Sequence, residues 1–218
     1  MATRPTSDRL RETLFNVLAP RIEGAFFLDL YAGSGAVGIE ALSRGAEHVV
    51  FVERSPAALK VLRANLERLG IQAGFSMRAG SADESLRRLH KAPGGFDVVF
   101  LDPPYDALDE YEATLNALGR PDFPPRSPKA RDKGHPPGSQ RRELPRTYEG
   151  LSLVNPDLGH PYPILNDSAV VIAEHRRKEP LEDQYGALAR RRLLEQGDAA
   201  LSFYGIQEGL QGAYDGSS

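Results

Sequence analysis

A glycine-rich turn near the start of the chain limits the possible folds more than any other feature. An apolar run from Ala25 to Leu30 precedes the turn Gly33 to Gly38 (Gly-Ser-Gly-Ala-Val-Gly), and a helical stretch then extends to Arg44, where Gly45 can end it. In the order strand, glycine turn and helix, a G-x-G-x-x-G pattern places a cofactor at a helix N-terminus. The sequence therefore predicts an α/β domain with a ligand site at this turn.

The same alternation continues along the chain. Ser55 and Pro56 supply the N-cap and first residue of a helix that Gly70 ends, with Leu59, Leu62, Leu66 and Leu69 on one face. Alternating strands and helices predict right-handed crossovers, a mostly parallel sheet and helices on both faces. The last two runs, joined through Gly197 and Asp198, predict a terminal hairpin and an antiparallel strand. The predicted strands are 25–30, 48–52, 75–79, 97–101, 168–173, 190–195 and 199–204, and helices are predicted at 7–18, 36–44 and 83–89 and around Tyr111 to Leu118.

The composition fits one globular domain of 218 residues. Because the chain has no cysteine, it cannot form disulfides or thiolate metal sites, and its five histidines lack ligand spacing, so we predict no metal. No apolar run has the length of a membrane span or a signal peptide, which predicts a cytoplasmic protein. With a net charge of -3, RNA binding must be argued from local basic clusters.

The segment from about 121 to 163 differs from the rest of the chain. It holds ten of the seventeen prolines and seven arginines and lysines, with few large apolar residues. Such a composition cannot bury enough surface to offset the entropy of ordering it. We predict a single domain over residues 1–218 with a flexible Pro- and Arg-rich insertion at 121–163. The alternative is a basic arm that orders on RNA.

Two acids bear on the identity of the cofactor. Glu53 ends the second strand, where a carboxylate can accept hydrogen bonds from both hydroxyls of a ribose. The turn and Glu53 together fit either a dinucleotide or S-adenosylmethionine. Asp29 lies just before the turn, where it would repel a pyrophosphate but would complement a sulfonium and an ammonium group. Asp29 therefore favours S-adenosylmethionine.

The tetrapeptide Asp102-Pro103-Pro104-Tyr105 follows the fourth strand, at the edge where open α/β sheets build their sites. An exocyclic amino nitrogen on a base is a poor nucleophile because its lone pair is delocalised into the ring. Acceptors facing its protons favour a pyramidal nitrogen, and the Asp102 carboxylate and the Pro103 carbonyl can supply two. The prolines stiffen this backbone, and Tyr105 can stack on an extruded base. This chemistry predicts amino methylation of a nucleic-acid base.

The order of these motifs resembles that of class I amino-methyltransferases. The opening from Arg4 to Asn16 (Arg-Pro-Thr-Ser-Asp-Arg-Leu-Arg-Glu-Thr-Leu-Phe-Asn) is similar to that of the bacterial 16S ribosomal RNA guanine-N2 methyltransferase family. Further stretches that look like this family are 29–35, 41–46, 174–175 and 197–204. The resemblance covers nearly everything outside residues 121–163.

The resemblance implies a Rossmann-like class I methyltransferase with a seven-stranded sheet and S-adenosylmethionine as cofactor. It implies in-line transfer to the N2 of one guanine in 16S rRNA within an assembling small subunit, by a protein that we expect to be monomeric. The catalytic residues it implies are Asp102, Pro103, Pro104 and Tyr105. The cofactor-binding residues it implies are Asp29, Tyr31, Ala32, Gly33, Ser34, Gly35, Glu53, Arg54, Ser81, Ala82 and Asp102. The RNA-binding residues are Arg4, Thr6, Arg9 and Arg11.

Three features depart from the family pattern. An Arg- and Gly-rich segment usually precedes the Arg-Pro-Thr motif, so we expect here either a truncated start or weaker RNA binding. Ser81, with Asp83 two residues later, stands where the family tends to carry the acid or amide that meets adenine. The insertion at 121–163 is longer than the family pattern leads us to expect.

Three alternative functions stay open at the level of sequence. A DNA adenine-N6 methyltransferase would use the same tetrapeptide, but it generally needs a further folded region to read DNA sequence. A nicotinamide-dependent oxidoreductase is compatible with the glycine turn and Glu53, but leaves Asp29 and the tetrapeptide unexplained. A non-catalytic RNA-binding remnant would bind RNA without turnover.

Overall fold

A computed structural model describes residues 5–89, 95–104, 107–120 and 164–207. They form one eight-stranded sheet in the order β3-β2-β1-β4-β5-β8-β7-β6. The strands are β1 (Phe26–Leu30), β2 (His48–Glu53), β3 (Phe75–Ala79), β4 (Phe96–Leu101), β5 (Leu165–Arg176), β6 (Gln184–Tyr185), β7 (Leu188–Gln196) and β8 (Ala199–Ile206). Strands β1 to β5 pair in parallel and β5 to β8 pair antiparallel, so the predicted mostly parallel sheet and terminal hairpin are confirmed.

Five helices cover the two faces of the sheet. They are α1 (Pro5–Ile22), α2 (Ala36–Ser43), α3 (Pro56–Arg68), α4 (Ala82–Leu89) and α5 (Leu108–Leu118). Apolar residues of α1, α2 and α3 pack into one buried cluster, and those of α4 and α5 pack into the other. Helices on both faces were predicted, and this prediction is confirmed. None of the helices within the described ranges is both long and apolar enough to cross a membrane.

The register of the parallel strands brings three carboxylates to one edge of the sheet. Leu30 in β1 pairs with Val52 in β2 and with Leu101 in β4, and Leu101 pairs with Ala173 in β5. Glu53, Asp102 and Glu174 are the residues that directly follow these partners. Because the carboxyl ends of parallel strands meet at the same edge, the three acids form a row in the order β2, β4, β5.

The fold differs from the sequence predictions in details of element number and length. The sheet has eight strands rather than seven, because Gln184 and Tyr185 form a strand too short to show any alternation in sequence. Helix α1 begins at Pro5 and runs to Ile22, so the predicted start at residue 7 is wrong. Leu69 was predicted on one face of α3 with Leu62 and Leu66, but the helix ends at Arg68, and Leu69, the next residue, is 56% exposed.

Two glycines allow the end of α5 to pack closely against the segment that begins the terminal hairpin. A Cβ on Gly119 would lie 1.9 Å from the carbonyl oxygen of Tyr185. A Cβ on Gly186 would lie 2.1 Å from the carbonyl oxygen of Gly119. The Ala187 amide donates to the Gly119 carbonyl at 2.7 Å, and the Phe96 amide donates to that of Ile164, also at 2.7 Å. Both contacts lie at the amino-end edge, where β4 begins, opposite the three carboxylates.

Candidate active site

A cavity of about 500 Å³ opens at the carboxyl-end edge of the sheet. This volume lies within the range of pockets that hold drug-sized ligands. The turns after β1, β2, β3 and β4 and one face of α5 line it. The predicted residues that line the cavity are Tyr31, Gly33, Glu53, Arg54, Ser81, Ala82, Asp102, Pro103 and Pro104. Ala32, Ser34, Gly35 and Asp29 do not line it, and Tyr105 lies outside the described residues.

The glycine turn brings backbone close to its neighbours and directs one amide at Glu53. Gly33 and Gly35 have φ angles of +56° and +81°, a region that disfavours residues with a Cβ. A Cβ on Gly35 would also lie 2.1 Å from Leu62 Cδ1 of α3. The Gly33 amide donates to Glu53 Oε2 at 2.8 Å, which fixes the turn against the end of β2. Glycine is therefore needed here both for the turn and for close packing of the helices.

Asp29 lies behind the turn rather than in the cavity. Its side chain is 2% exposed, and Oδ2 accepts a hydrogen bond from the Gly38 amide in α2 at 3.0 Å. Burial raises the pKa of Asp29 to about 7, and repulsion from Asp102 and Glu53 adds to the rise, while the Gly38 hydrogen bond opposes it. Asp29 thus anchors the helix, and its negative charge is under electrostatic strain that a cation in the cavity would relieve.

Glu53 bridges the turn and the start of α3. Oε2 accepts from Gly33, and Oε1 accepts from the Ser55 amide at 2.7 Å. Each carboxylate oxygen has a second lone pair, so Glu53 can still accept two hydroxyl protons from a ligand in the cavity. Its neighbour Arg54 also lines the cavity and forms an ion pair with Glu110 of α5 at 2.9 Å.

The segment Asp102-Pro103-Pro104 forms the end of the cavity next to β5. Burial raises the pKa of Asp102 to about 6. Pro103 is buried and Pro104 is exposed. The Tyr111 hydroxyl donates to the Glu174 carbonyl at 2.6 Å and approaches the Pro103 carbonyl at 3.5 Å, which ties α5 to the ends of both β4 and β5. The longer contact leaves the Pro103 carbonyl available as an acceptor.

One face of α5 belongs to the cavity although the motifs did not reveal it. Glu110, Ala113 and Thr114 line the cavity, and the Tyr31 hydroxyl lies 2.9 Å from Thr114 Oγ1. Burial raises the pKa of Tyr31 to about 12. The spacing i, i+3, i+4 places these three residues on one helix face, and this spacing was the available sequence signal.

The turn after β3 contributes Ser81, Ala82 and Asp83 to the cavity. Ser81 Oγ accepts from the Glu84 amide at 3.2 Å and so caps α4. Asp83 forms an ion pair with Arg87 one turn later in the helix. Ser81 therefore has a structural role in addition to its place on the cavity wall.

The predicted RNA-binding residues lie at the N-terminal end of α1. Arg9 is exposed, and Arg11 forms an ion pair with Asp8 at 2.8 Å. Thr6 belongs to α1, and Arg4 lies outside the described residues. Thr13 Oγ1 contacts Gln196 Oε1 at 3.2 Å, which holds this part of α1 against the end of β7, two strands beyond β5 in the sheet. Within the described ranges, no cluster of three His, Asp or Glu side chains could hold a metal ion.

The cavity combines a wall that can bind a cationic nucleoside with two hydrogen-bond acceptors that can hold an amino group. The glycine turn, Glu53 and the Ser81 turn form a wall that can bind a nucleoside carrying a positive charge. Asp102 and the Pro103 carbonyl present two acceptors at the β5 end of the same cavity. A nucleophilic amino group held there would lie next to a cationic electrophile bound along the first wall.

Comparison with known proteins gives consistent matches. The profile of a family described as Conserved hypothetical protein 95 matches residues 1–123. The Bacillus subtilis protein YlbH, named provisionally as an rRNA methyltransferase, is 31% identical over 203 residues, which cover 93% of this chain and 88% of that protein. Ribosomal RNA small subunit methyltransferase D of Escherichia coli K12 is 45% identical over 115 residues, or 53% of this chain and 56% of the relative. That alignment thus spans just over half of the E. coli protein.

Solved structures extend the similarity to the whole described fold. The Escherichia coli protein yhhF, named provisionally as a methyltransferase, superposes with a TM-score of 0.65 at 27% sequence identity. The superposition covers 94% of this chain and 89% of the E. coli chain.

Proposed function

We propose that this chain, which belongs to the family described as Conserved hypothetical protein 95, methylates the exocyclic N2 of a guanine in 16S ribosomal RNA with S-adenosylmethionine as donor. The observation that carries the proposal is the position of Asp102 and the Pro103 carbonyl at one end of a cavity whose other wall holds the glycine turn and Glu53. The names of the relatives, which include a small-subunit rRNA methyltransferase, support the choice of RNA.

The residues present fit S-adenosylmethionine. Glu53 keeps lone pairs for two ribose hydroxyls. A Cβ added to Gly33 would meet a single atom within 4 Å, the Tyr31 carbonyl oxygen at 3.9 Å, so the face of Gly33 toward the cavity is open. Asp29, Glu53 and Asp102 give the site a negative potential that suits a sulfonium and an ammonium group. When bound, the cofactor supplies an electrophilic methyl group.

Asp102 and Pro103 act on the nucleophile. The Asp102 carboxylate and the Pro103 carbonyl accept the two N2 protons and direct the nitrogen lone pair toward the cofactor wall. The N2 lone pair held in this way would attack the methyl carbon that the bound donor supplies, and the sulfur would leave as a neutral thioether. The nitrogen then loses one proton, which Asp102 can take, since burial raises its pKa to about 6, and release to water.

The finer parts of the proposal concern the substrate and the setting. The substrate is a guanine within an assembling small subunit, bound by a cytoplasmic monomer without a metal. Arg9 and Arg11, with Thr6 and Arg4 before them in the chain, contact the RNA backbone. Arg9 and Arg11 lie on the part of α1 that Thr13 holds against the end of β7, and the charge of Arg11 lowers the pKa of Glu174 at the end of β5.

Methyl transfer from labelled S-adenosylmethionine to small-subunit particles that lack their guanine-N2 methyl groups tests the proposal. We expect label on one guanine N2 with the wild type and none with Asp102→Ala. Asp109→Ala is the matched control, because Asp109 is an exposed acid in the first turn of α5 that does not line the cavity. Label on an adenine N6 of DNA offered in a parallel reaction, with none on the particles, would contradict the proposal.

Heat protection distinguishes the oxidoreductase alternative. A ligand that binds only the folded state raises the melting temperature. We expect S-adenosylmethionine to protect the protein and nicotinamide dinucleotides to have no effect, because the acids around the turn repel a pyrophosphate. Protection by a dinucleotide alone would contradict the assigned cofactor.

A further inference from the structure

We infer that Glu174 is the residue that distinguishes guanine from the other bases: its carboxylate accepts the N1 proton of the target base while Asp102 accepts an N2 proton beside it. This inference rests on the proposed function and names a specificity residue for the same site. Glu174 does not line the cofactor cavity. It lies on the far side of Asp102 from Glu53, where the base has to enter.

The strand register sets the two acids side by side. Leu101 pairs with Ala173 in parallel, and Asp102 and Glu174 are the next residues on each strand. Neighbouring strands are about 4.8 Å apart, a distance at which two carboxylates can reach adjacent donors on one base edge. Two residues earlier, Phe100 and Ile172 pack in the cluster beneath α1, so alternation directs both acids to that face of the sheet.

Contacts around the pair fix its backbone and leave the carboxylates open. The Tyr111 hydroxyl donates to the Glu174 carbonyl at 2.6 Å and approaches the Pro103 carbonyl at 3.5 Å, so it holds the two strand ends in a fixed relation. Among the described residues, no hydrogen bond is made to the carboxylate oxygens of Asp102 or Glu174. His175, the next residue, faces the other way, and its ring contacts the Ser202 hydroxyl at 2.9 Å.

The electrostatic surroundings of Glu174 also favour a ligand that supplies hydrogen-bond donors to its carboxylate. Burial and then repulsion from Asp102 raise the pKa of Glu174 to about 8, and only Arg11 of α1 opposes the rise. A pKa of about 8 leaves the free acid largely protonated at neutral pH, and hydrogen-bond donors from a bound base would stabilise its carboxylate form, the form that accepts N1–H. The positive charge of Arg11, on the helix proposed to hold the RNA backbone, therefore acts on the acid proposed to read the base.

The chemistry of the purines explains why two adjacent acceptors select guanine. Guanine presents N1–H and N2–H donors next to each other on its Watson–Crick edge, whereas adenine presents a lone pair at N1. A base that is extruded into a site is read through this edge. A carboxylate facing N1 therefore attracts guanine and repels adenine, which gives discrimination by both attraction and repulsion.

A base analogue combined with a substitution at Glu174 tests the contact to N1. 2-Aminopurine keeps the 2-amino group but lacks the 6-oxo group of guanine and has a lone pair at N1, and a glutamine at position 174 can donate to that lone pair. We would reconstitute small-subunit particles from ligated RNA carrying guanosine or 2-aminopurine riboside at the mapped target. Single-turnover methyl transfer is then compared for the wild type and Glu174→Gln. We expect the guanosine to 2-aminopurine rate ratio to fall at least 10-fold in the variant, about 1.4 kcal/mol.

Two controls keep the inference falsifiable. Glu179→Gln removes an acid from the loop after β5 that pairs with Arg176, and it should leave the ratio unchanged. Glu174→Asp keeps the acceptor and should retain the preference for guanosine even if its rate falls. A Glu174→Gln ratio within twofold of the wild-type ratio overturns the inference. Absence of wild-type transfer to the guanosine particle would instead count against the proposed function.

Discussion

The two halves of the site hold their carboxylates in different ways. In the half formed by β1, β2 and β3, Asp29 and Glu53 already accept backbone hydrogen bonds from Gly38, Gly33 and Ser55. In the half formed by β4 and β5, the Asp102 and Glu174 carboxylates accept none from the described residues. Under the proposed function, Glu53 and the turn behind which Asp29 lies form the cofactor wall, and the second pair keeps its acceptors for the base.

The largest expected effect is on Asp102. Asp102→Asn keeps the size of the side chain and one acceptor oxygen but removes the charge and the capacity to take a proton. We expect the single-turnover transfer rate to fall by about 10² to 10³, as for loss of one transition-state contact. Calorimetry should give a cofactor Kd within about tenfold of the wild-type value. If cofactor binding weakened by the same factor as the transfer rate fell, Asp102 would belong to the cofactor half as much as to the base half.

Glu53→Ala should weaken cofactor binding much more than it slows methyl transfer. It removes the acceptor for Gly33 and Ser55 as well as the proposed ribose contacts, so we expect S-adenosylmethionine to bind about 10- to 100-fold more weakly, or 1.4 to 2.7 kcal/mol. Transfer at saturating cofactor should change far less. Glu67→Ala, an exposed acid on α3, is the control for calorimetry. An unchanged cofactor Kd in Glu53→Ala would show that Glu53 does not contact the cofactor.

Packing beneath the cofactor half can be tested at Gly38. A Cβ at this position would lie 2.2 Å from Phe51 Cε1 and 2.9 Å from Val49 Cγ1, both buried in the core. We expect Gly38→Ala to lower the free energy of unfolding by about 1 to 3 kcal/mol, as overpacking generally does. Gly205→Ala meets its nearest atoms at 3.5 Å and should cost less in the same urea titration. Equal losses would show that α2 tolerates a shift away from the sheet.

The last expected effect concerns the stability of the apo protein at different pH. Asp29 has a folded pKa of about 7, above the ordinary value of 3.8, so the native state binds its proton more tightly than the unfolded state does. Stability from this group is therefore present below pH 4 and is lost as the pH rises toward 7.

Asp29→Asn removes the charge but keeps an acceptor for Gly38. We expect the variant to be more stable than the wild type by about 1 to 4 kcal/mol at pH 8, since one pKa unit corresponds to about 1.4 kcal/mol and the pKa rises from 3.8 to about 7. The two should be similarly stable near pH 4, measured by urea unfolding without cofactor. The variant should also bind the cationic cofactor more weakly. A stability difference that does not change with pH would mean that the Asp29 charge is not strained.

The sequence predicted those parts of the fold and site that depend on local patterns. The glycine turn requires positive φ at Gly33 and Gly35, and the strand ends carrying Glu53 and Asp102 follow from apolar runs. The role of each predicted residue in the cavity stays a prediction until a ligand or a variant tests it. For Asp29 the sequence indicated a charge near the cofactor but not its hydrogen bond to Gly38.

Features that depend on register or packing could not be read from the sequence. Glu174 adjoins Asp102 only because Leu101 pairs with Ala173, and strand pairing has no local signature. The contact of Thr114 with Tyr31 requires α5 to pack across the cavity. The two-residue strand β6 exists only because β7 lies beside it.

The glycine contact at the amino-end edge has a consequence for how this family can evolve. Gly119 is fixed to the terminal hairpin and Ile164 to the start of β4, so backbone contacts anchor the described residues on both sides of positions 121–163. Because loop-closure entropy rises only slowly with length, the flexible insertion predicted for 121–163, which lies outside the described residues, could gain or lose residues with little effect on stability. The same junction is a suitable place to insert a reporter domain without reshaping the catalytic edge.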